Sequence, residues 1–391
     1  MLFGAAALLT AACSSSGNSG SPSDSTTSSG STSGGSTAAA TSIAPFQTAL
    51  QQYYKGTFTS PPTTAPTPPK GVKLWVISCG QASAGCAGPV AAVKAAADRL
   101  GWTVNVFDGN FGVGDAYNGG LRQAIAAQAT AIITVGVDCN LAKTGYLAAQ
   151  AAHIAVVGAN SFDCNDPALH DGSSLFSATV QYTPQAPTAA ATLEEVGRAK
   201  ADWIIAHTDG KAQVINLNFS GITGGIYTND GFVSEMAKCT TCKIVKTINF
   251  TPADTSDGVL KQEWASALAQ YPNANAGTVL SDGIITQDDL AQALQSDGRT
   301  KTFALVGEEG YATNVQLVTD GDGEDAGATY DSNWLSWGAV DTLIRVLDHK
   351  PIVNEGMGVQ VWDATHNLPA PGTNYGAPVD YQKIYETAWG L

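Results

Sequence analysis

Charge is scarce in this sequence: acidic and basic side chains together make up 14% of its 391 residues, against roughly 25% in soluble domains at large. Basic side chains are the scarcer kind, 19 against 34 acidic ones, and the formal charge of −15 repels the phosphate backbone that a nucleic-acid binder must neutralise. DNA and RNA are thereby set aside as partners. Long hydrophobic runs are missing too, since beyond residue 13 none approaches the roughly 20 apolar residues that span a bilayer. Histidine is rare, with five at 153, 170, 207, 349 and 366, mostly on expected helices and late loops. A nucleophilic Cys79 or Cys86 would need a nearby base to form thiolate, so thiol catalysis is not expected. Nucleotide loops are absent: "GQASAG" lacks the Gly-Lys-Ser/Thr ending of a Walker loop, and no G-x-G-x-x-G joins a strand to a helix. Neither a cofactor nor a metal is expected. "CTTC" has no second pair to make a zinc site, and a calcium loop starting at Asp320 would place Asp325 and Asp331 where Gly and Glu belong.

What is present begins with "MLFGAAALLTAAC", an apolar segment ending in small residues before a Cys, which resembles the tail of a bacterial lipoprotein signal with Cys13 as the lipid-bearing residue. That implies an extracytoplasmic protein anchored to the outer face of the cell membrane. Six cysteines then remain, at 79, 86, 139, 164, 239 and 242, an even number that suits disulfides outside the cytoplasm. Fifteen connectivities are open to six cysteines, and short separation favours Cys79 with Cys86, Cys139 with Cys164, and Cys239 with Cys242. Residues 14–70 read as a tether: a Ser/Gly stretch too polar to fold, a short helix with Phe46, Leu50 and Tyr53 or Tyr54 at helical spacing, and a Pro-rich linker.

From Gly71 onward strand and helix alternate. "VKLWVIS", "TVNVFDG", "TAIITVGVD" and "IAVVGAN" are nearly continuous apolar strands, and the stretches between them have helical periodicity. Such alternation predicts an α/β fold with parallel sheets covered on both faces. After "LFSATVQYTP" the series restarts, so two doubly wound lobes are expected. Ligands of such sheets sit beyond the carboxyl ends of the strands, and those ends carry "SCGQ", "GVDC", "GANSFD", "LSDG", "GEEG" and "YDSN". Asp138, Asp282 and Asp331 are binding candidates on that ground. Tyr227 and Trp334 are candidates for stacking on a ligand, beside Phe111 and Phe219, although any of the four suits a core equally well.

Taken as a set, "KLWVISCG", "AADRLGWTVNVFDGNF", "LRQAIAAQATAIITVGVDC", "VLSDGIITQDDLAQAL", "TFALVGEEG" and "GATYDSNWLSWGAVDTLIRVLDHKP" resemble the type I periplasmic binding proteins, in the branch of sugar-type receptors serving ABC importers. The resemblance implies a monomer of two lobes that close on a small solute and deliver it to a membrane permease, without catalysis. It places the three hinge segments near "VQYT", "YDSN" and "GVQVWD", with 71–181 and 331–358 in the first lobe and 182–330 and 359–391 in the second. It also places Ser78, Gln81, Asn160, Ser161, Ser281, Glu309 and Ser332 at ligand-contacting positions. Ser161 stands where ribose-type receptors have an Arg, so the bidentate fork that clamps a sugar is missing. A monosaccharide or polyol is the expected ligand, with a signalling receptor for a non-sugar solute such as a nucleoside as the alternative.

Overall fold

Runs of two to seven residues make the strands of the computed structural model, which describes residues 42–391. Helix α1 (Ala44–Lys55) comes first. The first sheet contains β1 (Lys73–Ser78), β2 (Thr103–Asp108), β3 (Ala131–Val135), β4 (Ala155–Ala159) and the short β5 (Ala178–Thr179), joined by α2 (Ala84–Arg99), α3 (Ala116–Ala126) and α4 (Lys143–Ala151). All its strands are parallel, in the order β2-β1-β3-β4-β5. The chain then enters a second unit through α5 (Ala189–His207). Its strands are β6 (Gln213–Asn218), β7 (Lys243–Asn249), β8 (Ala276–Thr278), β9 (Ala304–Gly307), β10 (Ala326–Thr329) and β11 (Gln360–Asp363). Between them lie α6 (Thr223–Met236), α7 (Pro252–Ser256), α8 (Val259–Gln270), α9 (Gly283–Gln287), α10 (Leu290–Asp297), α11 (Ala312–Asp320) and α12 (Ser332–Leu347), and α13 (Tyr381–Trp389) ends the chain. Counted outward from β7, this sheet reads β7-β6-β8-β9-β10, the same winding as the first, with β11 added antiparallel at its edge.

Two doubly wound sheets of identical order put a topological switch point in each lobe, at β1/β3 and at β6/β8. Adjacent connections leave to opposite faces there, so a crevice opens beyond the strand ends. Helix α12 lies between β10 and β11 of the second sheet in sequence but packs on α2 and β4, where Trp334, Val340 and Leu343 join the first lobe's core. Residues 359–391, expected together in the second lobe, divide: β11 completes the second sheet, while Tyr385 and Trp389 of α13 are buried against Trp337 of α12 in the first lobe.

Residues 42–70, expected as part of a tether and linker, are partly built into the fold. Phe46 and Leu50 of α1 are buried in the second lobe's core against α5 and β11. The chain then runs along the hinge, where Thr57 N donates to Val359 O (2.9 Å) and Thr59 N to Gly356 O (2.7 Å). It ends on the first lobe, where Arg345 donates to Thr64 O and Trp102 Nε1 to Pro69 O. Two passages therefore accompany the three expected at the hinge, one before β1 and one between β11 and α13. Cys13 and the Ser/Gly stretch up to residue 41 lie outside the described residues. Among the described residues no helix is long and apolar enough to cross a membrane.

Candidate ligand cleft

One small cavity of about 70 Å³, well below the roughly 300–1,000 Å³ of a typical ligand pocket, lies between the strand ends of the first lobe beside β1/β3 and the ends of β9 and β10 in the second. The lobes are therefore drawn together over it. The first lobe supplies Cys79, Gly85, Pro89, Gly136 and Asn160, and the second Glu308, Glu309, Tyr311 and Thr329. Tyr330, Ser332 and Ser336 line it where the chain passes from β10 into α12. Two disulfides brace the first lobe's rim: Cys79–Cys86 ties the end of β1 to α2, and Cys139–Cys164 ties the loops after β3 and β4. Cys239–Cys242 closes the turn after α6, so all three pairings favoured by short separation are present. Gly136 takes φ +64° and would bring a Cβ within 2.9 Å of the Cys79 sulfur, so the rim excludes a larger residue there. Cys139, Asp163 and Cys164 cluster closely, but with both sulfurs in a disulfide they offer no thiolate to a metal.

Of the expected contact residues, Asn160, Glu309 and Ser332 line the cavity directly. Asn160 adopts the left-handed backbone (φ 49°) as β4 gives way to its loop. Ser281 Oγ donates to Glu309 (2.8 Å), and Asp282, fully buried beside it, accepts from Gly310 N (2.6 Å). The other candidates are engaged elsewhere. Ser78 Oγ accepts from Gly80 N (3.2 Å) and from Gln81 Nε2 (2.7 Å), so this pair secures the lip from within, and Cys79 and Gly85 face the cavity in its place. Ser161 Oγ accepts from Val137 N (3.0 Å) and is buried. Asp331 caps α12 by accepting from Asn333 N and Trp334 N. Trp334 is a core residue: it is wholly buried, its Nε1 donates to Glu355 O (2.9 Å), and its ring stacks on Tyr381. Phe219 stacks on Phe250, and Phe111 packs over Gly80 with half its surface exposed.

Asp138 and Tyr227 join the lobes to each other. Thr223 Oγ1, at the start of α6, donates to Asp138 (2.6 Å), and Tyr227 Oη, one turn on, donates to Asp166 (2.5 Å). Phe162, Leu193 and Tyr227 form an apolar cluster behind these bonds. Burial raises the Asp138 carboxyl above its ordinary range, against the bonds from Thr223 and Phe162 N.

Electrostatically the second lobe's wall is acidic. Lys200 of α5, 1% exposed, donates to Glu308 (2.8 Å) and to Val279 O (2.8 Å). Behind them Glu324 accepts from Asn314 Nδ2 (2.7 Å). Burial pushes Asp282 and Glu308 up to about 7 and Glu324 to about 8, with neighbouring carboxyls adding to each rise. Burial and the charge of Asp282 push Glu309 well above the carboxylate range. Glu308, Tyr311, Tyr330 and Lys200 were not anticipated. Lys200 did leave a signal, because it stands between Val196 and Ile204 on the apolar stripe of α5, where a charge must find a buried partner.

A family model described as a periplasmic binding protein domain matches residues 76–351. No curated protein sequence matches the chain significantly. Among solved structures, the periplasmic binding protein component of the arabinose ABC transporter from Shewanella sp. ANA-3, bound to L-arabinofuranose, aligns with TM-score 0.62 at 19% identity, over 81% of this chain and 95% of that one. An ABC transporter solute binding protein from Mycobacterium smegmatis with bound glycerol aligns at 0.62 and 20%, over 78% and 100%. The 5-methylthioribose transporter solute binding protein from Thermotoga lettingae aligns at 0.63 and 16%, over 84% and 95%. These likenesses concern the fold.

Proposed function

Because the chain belongs to the family of periplasmic binding protein domains, we propose that it is an extracytoplasmic solute receptor whose two lobes close on a small polar ligand and perform no chemistry on it. The observation that carries this reading is the cavity between the strand ends of the two lobes, beside the first lobe's β1/β3 switch point, with polar side chains from both lobes on its wall. Asn160 and Ser332 on one side, and Glu309 held by Ser281 on the other, form the contact set. Asp138 and Tyr227 act as latches between the lobes, outside that set. A ligand touching both walls is held fully only when the lobes are together, so it shifts the population toward the closed form by that difference in affinity.

The sugars and polyol bound by the solved relatives support a monosaccharide, a polyol or a close derivative as the ligand class. The closed monomer would dock on an ABC permease, and a lipid on Cys13 would hold it at the outer face of the membrane. Isothermal titration of the full chain against a panel of sugars and polyols tests the reading. One binder of micromolar affinity or tighter is expected, and a panel without any binder would sink it.

A further inference from the structure

Residues 57–69 precede the span that the family model matches, 76–351, yet they lie along the hinge and are held by both lobes. On the second lobe, α1 sinks Phe46 and Leu50 into the core, while Tyr54 donates to Asp363 at the end of β11 and stacks on His366 with ring centroids 3.7 Å apart. On the first lobe, Phe58 and Ala65 pack against the core, Arg345 donates to Thr64 O (2.7 Å), and Trp102 donates to Pro69 O (2.9 Å). Pro61, Pro62, Pro66, Pro68 and Pro69 fix φ through much of this stretch, so it resists bending and shortening as a polyproline strut does.

Between these anchors the strap pairs with residues 354–359, the segment that crosses from the first lobe into β11. Thr57 N and Thr59 N donate to Val359 O and Gly356 O, and Val359 N returns a bond to Thr57 Oγ1 (2.9 Å). The same segment donates Glu355 N and Gly356 N to Gln181 O and Tyr182 O of the first crossing (both 2.8 Å). It is shaped to admit the strap. A Cβ on Gly358 would stand 2.4 Å from Phe58 N, and one on Gly356 2.5 Å from Ser60 O. Gly356 also needs glycine for its φ of +85°, but Gly358 has no left-handed backbone, so the approach of the strap is what excludes a side chain there.

We infer that residues 57–69 are a hinge brace, which together with α1 ties the two lobes along the hinge and opposes their separation. Met357 belongs to the first lobe's core and Val359 to the second's, so rotation of the lobes bends the crossing segment where the strap is bonded to it. Such a bend must break those bonds or drag a stiff strut whose ends are held by opposite lobes. The brace thus sets how far the cleft opens, whichever solute it receives. The inference takes from the solute-receptor reading only that the lobes move, and goes beyond it in naming what restrains them.

The test loosens the brace from each side, in the full chain and without ligand. Thr59→Pro removes the donor to Gly356 O within a stretch already suited to proline, and Gly358→Ala pushes the strap off the crossing segment. Both are read by small-angle scattering and by amide hydrogen exchange. Glu355 N and Gly356 N are the informative amides, because they bond to Gln181 and Tyr182 and lose no partner when the strap leaves. In both variants they should exchange at least ten-fold faster than in the parent, with the amides of β3 and β9 unchanged, and the radius of gyration should rise. Parent-like exchange or parent-like scattering in both variants overturns the brace. So does an effect in one variant alone, which belongs to that substitution, and so does equal acceleration in β3 and β9, which is a general loosening of the fold. Titration with sugars and polyols judges the receptor reading separately: a panel without a binder sinks that reading, whereas a silent pair of variants sinks the brace alone.

Discussion

Lys200 and Glu308 form an ion pair with side chains 1% and 5% exposed, so neither can regain water if the other is lost. Lys200→Met should lower stability by about 3–5 kcal/mol, because it leaves a buried carboxylate unpaired. Adding Glu308→Leu should recover much of that, and urea unfolding of both variants measures it. An unchanged midpoint for the single variant would mean that the pair contributes nothing. The unpaired carboxyls make an opposite prediction about pH. Asp282 and Glu324 titrate near 7 and 8 in the folded protein, against ordinary values of 3.8 and 4.5 in the unfolded chain. Between those limits the folded state holds protons that the unfolded state has given up. Their contribution is complete below about pH 4 and is lost as pH rises through 7 to 8. Unfolding free energy measured at pH 5, 6.5 and 8 should therefore fall, and Glu324→Gln, which still offers Asn314 an acceptor, should flatten the fall. A flat profile in the unmutated protein would contradict the burial of these groups as charged species.

Helices α5 and α6 show how closely packed elements depend on two positions. A Cβ on Gly197 would run into the Thr228 carbonyl, and one on Gly231 into the Glu194 carbonyl. Gly231→Ala should force the helices apart at a cost of about 1–3 kcal/mol, visible as a lower thermal midpoint, whereas Gly88→Ala, at a position with open space, should leave it unchanged. At this scale most of the fold was legible, because uninterrupted apolar strands such as "AIITV" and "ALVG" alternate with periodic helices and admit few arrangements other than two doubly wound sheets. The partners of the terminal helices were not legible. Phe46 and Leu50 predict a helix with one apolar face, yet nothing local says that this face meets β11, some three hundred residues on. The site was half legible for a different reason. A small polar residue at a strand end can face a ligand or can satisfy backbone donors of its own loop, and the two uses read alike. Asn160 and Ser332 line the cavity, whereas Ser78, Ser161 and Asp331 satisfy backbone donors.

Across the whole molecule, Thr223 to Asp138 and Tyr227 to Asp166 are bonds that exist only while the lobes are together. Hydrogen bonds to charged acceptors contribute about 1.5–3 kcal/mol each. Removing both with Thr223→Val and Tyr227→Phe should shift the ligand-free protein toward the open form by at least ten-fold, with a larger radius of gyration in solution scattering and a weaker apparent affinity. Identical scattering curves for variant and parent would assign closure to other contacts. The last helix sets a further condition on the assembly of the receptor. Trp389 stacks on Trp337 with ring centroids 5.5 Å apart, so the wall of the first lobe is finished by residues at the far end of the chain. A nascent polypeptide emerging amino terminus first cannot seal that lobe until Trp389 has been made. The first lobe's core thus waits on a segment that is translated after every strand of both sheets.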